Sequence, residues 1–279
     1  MQGLLNESLC VYSQLRDEVR ALLGEIKSTD ETYYSFSASQ LNYFADRCQS
    51  VNVLLQVWKL WDADIVMRSA LECVTRFIFI GIATPEERQH RIYEYVVGLN
   101  EIEELQRSEK AKSFVSVSAD DIGAMLVGGV VLSPEREAEL RTRWPKSRRH
   151  VIKQKWSFSE MAREITGFQD GLLDLTSYKA LLHSYGLSSH LIHADQTAID
   201  LICDREARAP EVREVLEQAH YARLATEQVS MLFMCWRVMA YAIGADSSCV
   251  EVEKGLRRLL ERADAYHKAF AKTQEHLYK

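Results

Sequence analysis

Asp62-Ala-Asp-Ile-Val-Met-Arg-Ser-Ala-Leu-Glu-Cys-Val-Thr-Arg-Phe-Ile-Phe-Ile80 is apolar on almost every side of a helical wheel. Its exceptions, Asp64, Arg68, Glu72 and Arg76, recur at four-residue steps and draw one narrow charged stripe. A helix apolar nearly all round belongs inside a helical protein. The reading therefore places this segment in the middle of an all-α, multi-helix bundle of long antiparallel helices.

Outward from it the pattern stays helical. Leu5, Leu9, Tyr12, Leu15, Val19, Leu22, Leu23 and Ile26 predict an amphipathic helix over about 3–27, which Ser28-Thr29-Asp30 interrupts. Leu41, Phe44, Val51, Leu54, Leu55, Val57 and Leu60 predict a second, about Ser39 to Trp61, with Asp62 as the cap of a third running through Ile82. Thr84-Pro85-Glu86-Glu87, Ser133-Pro134-Glu135 and Ser157-x-x-Glu160 carry helix-start chemistry, and Gly167 and Gly244 stand where C-caps fall. Pro210 opens a helix to about Ile243, and a last helix covers about 249–276. Ser113–Ser118 alternates like a strand but has no partner strand. Only 4 prolines and 12 glycines interrupt 279 residues, which favours long helices. The expected organisation is a single helical domain over 1–279. Its core spans about 37–243, the terminal helices pack on it, and a basic insert occupies about 133–155.

The composition, 47% hydrophobic and 27% charged, is that of a globular chain. No apolar run reaches the ~18 residues of a membrane span, so no membrane partner is expected. The N-terminal residues lack a signal-peptide pattern, and six scattered cysteines form no C-x-x-C pair. A reducing cytoplasm is the expected compartment. Net charge is −6, yet Arg141–Lys155 holds seven Lys or Arg and no acid, leaving −13 on the rest of the chain. That segment is either a phosphate-attracting patch or a solvated helix end.

Two patterns offer chemistry. If the Asp64–Arg76 stripe is buried, its charges must be paired; at the surface, Arg68 and Glu72 make an ordinary i,i+4 pair. In Ser177–Asp195, His183, Gly186, His190 and His193 share one helical face, with Tyr178, Tyr185 and Ser189 nearby. Histidine suits acid–base work at neutral pH, although any one of these can be a boundary residue.

Arg68-Ser69-Ala70-Leu71-Glu72, Trp156-Ser-Phe-Ser-Glu-Met-Ala162 ending at Gly167, and Tyr178–Asp195 with Tyr185, Ser188, Ser189 and His193 resemble a bacterial helical family of unknown function. Its motifs read R-S-x-L-E and Y…LS…H, and the match spans about residues 40–200 with an unmatched insert near 110–150. That family is in turn similar to the HEPN superfamily of helical bundles. Many HEPN members are metal-independent, often dimeric ribonucleases of toxin and antiphage systems, marked by R-x(4–6)-H. The resemblance implies a HEPN-like core acting on RNA or a nucleotide. His193, Arg68, Glu72 and Ser189 would be catalytic: His193 the acid–base, Arg68 the phosphate ligand, Glu72 the group orienting His193. Tyr185, His190, Arg148 and Arg149 would bind substrate. No arginine stands at the hallmark spacing before His193 or His190. Arg143–His150 meets it across Pro145, at a helix break.

No cofactor or metal is expected. Glu87–His90 and Glu217–His220 repeat the E-x-x-H of di-metal bundles, but the first lies in the polar opening turn after Pro85. No P-loop, G-x-G-x-x-G, G-x-S-x-G or H-E-x-x-H occurs. The rival reading is a non-catalytic module that forms homo-oligomers or docks on a partner protein, motivated by the long apolar terminal helices.

Overall fold

The computed structural model describes residues 1–117 and 121–275. Among them the chain is helical throughout, with thirteen α-helices, one π-helical turn and no strand. The first helix, α1 (Gln2–Thr29), buries Leu4, Leu5, Val11, Leu15, Val19, Leu22 and Ile26 along one stripe. Asp30 ends it and caps α2 (Glu31–Gln56), its carboxylate accepting from the Tyr33 N–H. Thus α2 begins earlier than Ser39 and stops short of Trp61. Trp58, at φ 57°, makes the left-handed turn, with Lys59 N–H donating to Leu54 O at 2.9 Å. The Trp58 ring packs on Tyr221, 5.1 Å between centroids, a tertiary contact that local pattern does not reveal. Asp62 consequently lies in the first turn of α3 (Leu60–Gly81), and the N-cap position belongs to Lys59. From Phe77 to Gly81 every residue of α3 is buried.

Two compact units follow from the packing, where the sequence suggests one domain with an insert over about 133–155. The second unit is longer than that insert, Pro85–Met161. It holds α4 (Pro85–Tyr93), the π turn Glu94–Gly98, α5 (Leu99–Val117), α6 (Asp121–Gly128), α7 (Pro134–Arg143) and α8 (Lys146–Lys155). It closes because it has a core of its own: Ile92, Ile102, Leu105, Leu140, Trp144, Ile152 and Trp156 are buried. Ser133 caps α7 through Arg136 N–H, as its sequence signal requires. The strand-like Ser113–Val117 is helical, the end of α5; Ser118 lies outside the described residues.

Helix α9 (Phe158–Gly167) crosses the boundary between the units, with Ser157 Oγ 3.4 Å from Glu160 N–H. The first unit, Met1–Thr84 with Ala162–Lys279, is completed by α10 (Tyr178–His193), α11 (Gln196–Ala207), α12 (Pro210–Ile243) and α13 (Val250–Gln274). His276, where the last helix was expected to end, is outside the described residues. Helix α12 packs against α1, α2, α3, α11 and α13, while α10 lies along α3. Gly244, at φ 69°, closes α12, and Ala245 N–H returns to Ala240 O. Gly81 lets α3 approach α12, since a Cβ there would collide with Cγ1 of the buried Val238. No described helix is long and apolar enough to cross a membrane.

Candidate functional site: a buried charge relay and an exposed histidine face

The charged stripe of α3 is graded in depth. Asp64, at its N-terminal end, is fully buried. It accepts both contacts of Arg223 Nη2 (2.7 and 2.8 Å) and one from His220 Nε2 (2.5 Å). Arg223 Nη1 donates onward to Glu227 at 3.1 Å, and Ser184 Oγ donates to the same carboxylate at 2.6 Å. On the other side, Arg205 Nη2 donates to His220 Nδ1 at 2.9 Å and lies 3.9 Å over the Trp61 ring. Four helices, α3, α10, α11 and α12, thus meet in one polar relay.

Protonation follows from that geometry. An imidazole between an arginine donor and a carboxylate acceptor is the neutral tautomer with hydrogen on Nε2. Burial holds the His220 pKa down to about 4, against the Asp64 bond that favours the charged form. Burial also opposes ionisation of Asp64, but the Arg223 charge and the bonds from His220 and Arg223 outweigh it, holding the carboxyl at about 2.

One turn along α3, Arg68 and Glu72 meet Tyr185 of α10. Arg68 Nη2 donates to the Tyr185 hydroxyl at 3.0 Å, and that hydroxyl donates to Glu72 at 3.2 Å. Glu72 also pairs with Arg68 Nε (3.3 Å) and Arg76 Nη2 (3.4 Å). The Arg68 side chain is only 13% exposed, and its buried Nη1 has no hydrogen-bond acceptor. The cavity among Asp64, Arg68, Tyr185, Arg223 and Glu227 is about 10 Å³, at the lower limit for one water.

The structure brings together Arg68, Glu72 and Tyr185 but not Glu72 and His193. Thr75 bonds Tyr178 and Arg68 bonds Tyr185, and Asp64 lies level with Ser188, so α3 and α10 run antiparallel in a fixed register. That register sets His193 level with Leu60, twelve residues and roughly 18 Å of helix from Glu72. His193 and His183 are exposed, on the side of α10 opposite its buried Tyr178, Leu181, Ser188 and Leu191, and Ser189 is half-buried. Glu72 therefore does not orient His193; its carboxylate belongs to two arginines and a tyrosine.

A different carboxylate orients a histidine of that face. His190 Nδ1 lies 2.7 Å from Asp195 Oδ2, and Asp195 Oδ1 caps α11 through Ala198 N–H. Ala194, at φ 47°, makes the left-handed turn between the two helices. The His190 bond is the main cause holding the Asp195 carboxyl below its usual range. With Nδ1 donating, His190 Nε2 is the acceptor nitrogen, and His193 stands one turn further along.

In the second unit α7 and α8 break at Trp144-Pro145, as the sequence suggests. Arg148 stacks 4.7 Å over Trp144, and Arg149 is half-buried on α8. Neither E-x-x-H pair assembles a cage. Glu87 bonds Arg91, His90 faces Glu94, and both nitrogens of His220 are engaged. Among the described residues no group of three His, Cys, Asp or Glu is placed to hold a metal.

Sequence reasoning missed Arg223, Arg205, Glu227 and Ser184. The signal was present: His220, Arg223 and Glu227 recur at three- and four-residue steps in the largely apolar middle of α12. It also missed that Arg213 precedes His220 at R-x6-H spacing. Arg213, though, pairs with Glu206 at 3.1 Å, while His220 is buried and neutral.

Fold and site define an all-α protein with a charged relay inside one helical unit. No family model, curated protein or solved structure matches the chain.

Proposed function

We propose that the chain is a HEPN-like helical protein that acts on RNA or a nucleotide by metal-independent acid–base chemistry on the exposed face of α10. The observation that supports this reading is the His190–Asp195 pair, which fixes one imidazole tautomer and leaves Nε2 as a base. In that scheme His190 Nε2 takes the proton of a ribose 2′-hydroxyl as its oxygen attacks phosphorus. Protonated His193 gives a proton to the departing 5′-oxygen, and the products are a 2′,3′-cyclic phosphate and a 5′-hydroxyl. Asp195 is a positioning residue.

The test is mixed RNA incubated with chelator-treated protein. Wild type is expected to cleave RNA and spare DNA, which lacks the attacking hydroxyl. His190→Gln and His193→Gln should each lose about 100-fold or more with the melting temperature unchanged. Asp195→Asn keeps a helix cap and should lose less. Uncleaved RNA with the wild-type protein defeats the reading.

The rival, a self-associating module without catalysis, is favoured by one feature of the second unit. Ile122, Met125 and Leu126 of α6 form an i, i+3, i+4 apolar ridge, each at least 67% exposed. Sedimentation at rising concentration, with Met125→Lys as the control, decides whether the chain pairs through it.

A further inference from the structure

The basic segment divides into cations with acidic partners and cations without them. Arg141 bonds Glu137 and Glu109, Arg143 bonds Glu101 and Glu139, and Lys155 bonds Glu94. Lys146, Arg149 and Lys153 make no ion pair among the described residues. With His150 they stand at positions i, i+3, i+4 and i+7 of α8, which is one helical face. That face lines an open groove of about 420 Å³ with Gln106 and Glu109 of α5 and Arg141 of α7. Arg149 Nε is buried there without a hydrogen-bond acceptor. The one carboxylate in the groove, Glu109, is already held by Arg141 at 2.8 Å.

We propose that this groove binds the phosphodiester backbone of a single-stranded nucleic acid. The seven steps of α8 from Lys146 to Lys153 spread three cations over about 10 Å, so the face offers one cation to each of about three phosphates. No aliphatic, Phe, Tyr or Trp side chain lines the groove. It therefore has nothing to insert into a bilayer. Backbone contact of this kind is indifferent to sequence and falls steeply with salt. The groove belongs to the second compact unit, so it extends the functional reading above without using any residue of α10.

The experiment is fluorescence anisotropy of the full chain carrying His190→Gln, which removes cleavage from the measurement. The probes are labelled 20-mers of oligouridylate and oligodeoxythymidylate at 50–200 mM salt. Both are expected to bind equally, with a log–log salt slope of about −2 for three phosphate contacts. Lys146→Ala/Arg149→Ala/Lys153→Ala should weaken binding tenfold or more, whereas Arg16→Ala/Arg20→Ala/Lys27→Ala on α1, an equal loss of charge, should not. A smaller effect of the α8 triple, an equal effect of the α1 triple, no binding at 50 mM salt, or a tenfold preference for either oligomer overturns the proposal. Retention on phosphatidylserine vesicles that depends on the same three residues, without oligomer binding, also overturns it. No oligomer binding by the His190→Gln protein, beside intact cleavage by the wild type, leaves the function standing and removes only the groove.

Discussion

Two regions of this chain pair arginine with carboxylate, and they put the same chemistry to opposite ends. At the junction of α3 and α12, Arg223 meets an Asp64 side chain that is 1% exposed, and His220 and Arg205 complete the set. Between α7 and α5, Arg141 meets Glu109 with both side chains more than two-fifths exposed. In the first case water cannot replace a lost partner, so the pairs are obligatory to the packing. In the second, water screens the pair and the neighbouring unpaired cations stay available to a ligand. Burial, more than the identity of the partners, separates a charge that specifies a fold from one that can be used for binding.

The largest expected effect breaks the buried side of that comparison. Asp64→Ala leaves the buried His220 without its acceptor and the partly exposed Arg223 with Glu227 alone, and should lower unfolding stability by about 3–5 kcal/mol in urea titration. An unchanged midpoint would mean that the relay is solvated and the contrast false. Next comes pH. His220 has a folded pKa of about 4 against an ordinary value near 6.5, so the unfolded chain binds the proton first as pH falls. Stability should decline from pH 6.5 to 4, by about 3 kcal/mol, and the depressed Asp64 pKa adds a further loss between about pH 4 and 2. His220→Gln should flatten the upper window, leaving the smaller slope of His267, which burial also shifts downward. A slope that survives His220→Gln unaltered would refute the assignment.

Packing around the relay gives a smaller effect. Gly81→Ala forces a methyl against the buried Val238, with an expected loss of about 1–3 kcal/mol by thermal or urea unfolding. On the exposed side, Arg141→Ala should leave the unfolding midpoint unresolved from wild type. A clear drop there would show that the α5–α7 ion pairs hold the second unit together, and would close the gap between the two regions.

The buried thiols fit the same contrast. Burial raises the pKa values of Cys48, Cys73 and Cys235, which sit in the first unit as small apolar side chains.

Much of the helical framework is legible in local sequence because helix starts and stops are chemistry within four residues. Ser133, Ser157 and Gly244 act where their types predict. The α2–α3 turn is not legible, since Trp58 adopts a left-handed conformation in contact with Tyr221, far along the chain. The site is legible in half. The α3 stripe announced Arg68 and Glu72, and Tyr185 lay in the right segment. Their partners were another matter, because α10 carries two faces that could each have been buried. The apolar and tyrosine face won, which turned His183 and His193 outward and left His190 to Asp195.

By itself, then, the sequence determined an all-helical chain, several of its helix boundaries and the presence of charge on an interior helix, for these depend on periodicity and neighbouring side chains. Tertiary structure alone decided which charges meet. Asp64 and His220 are 156 residues apart, and their bond exists only because α3 and α12 pack at one register and rotation. A quarter-turn of either helix would keep every local signal and dissolve the relay.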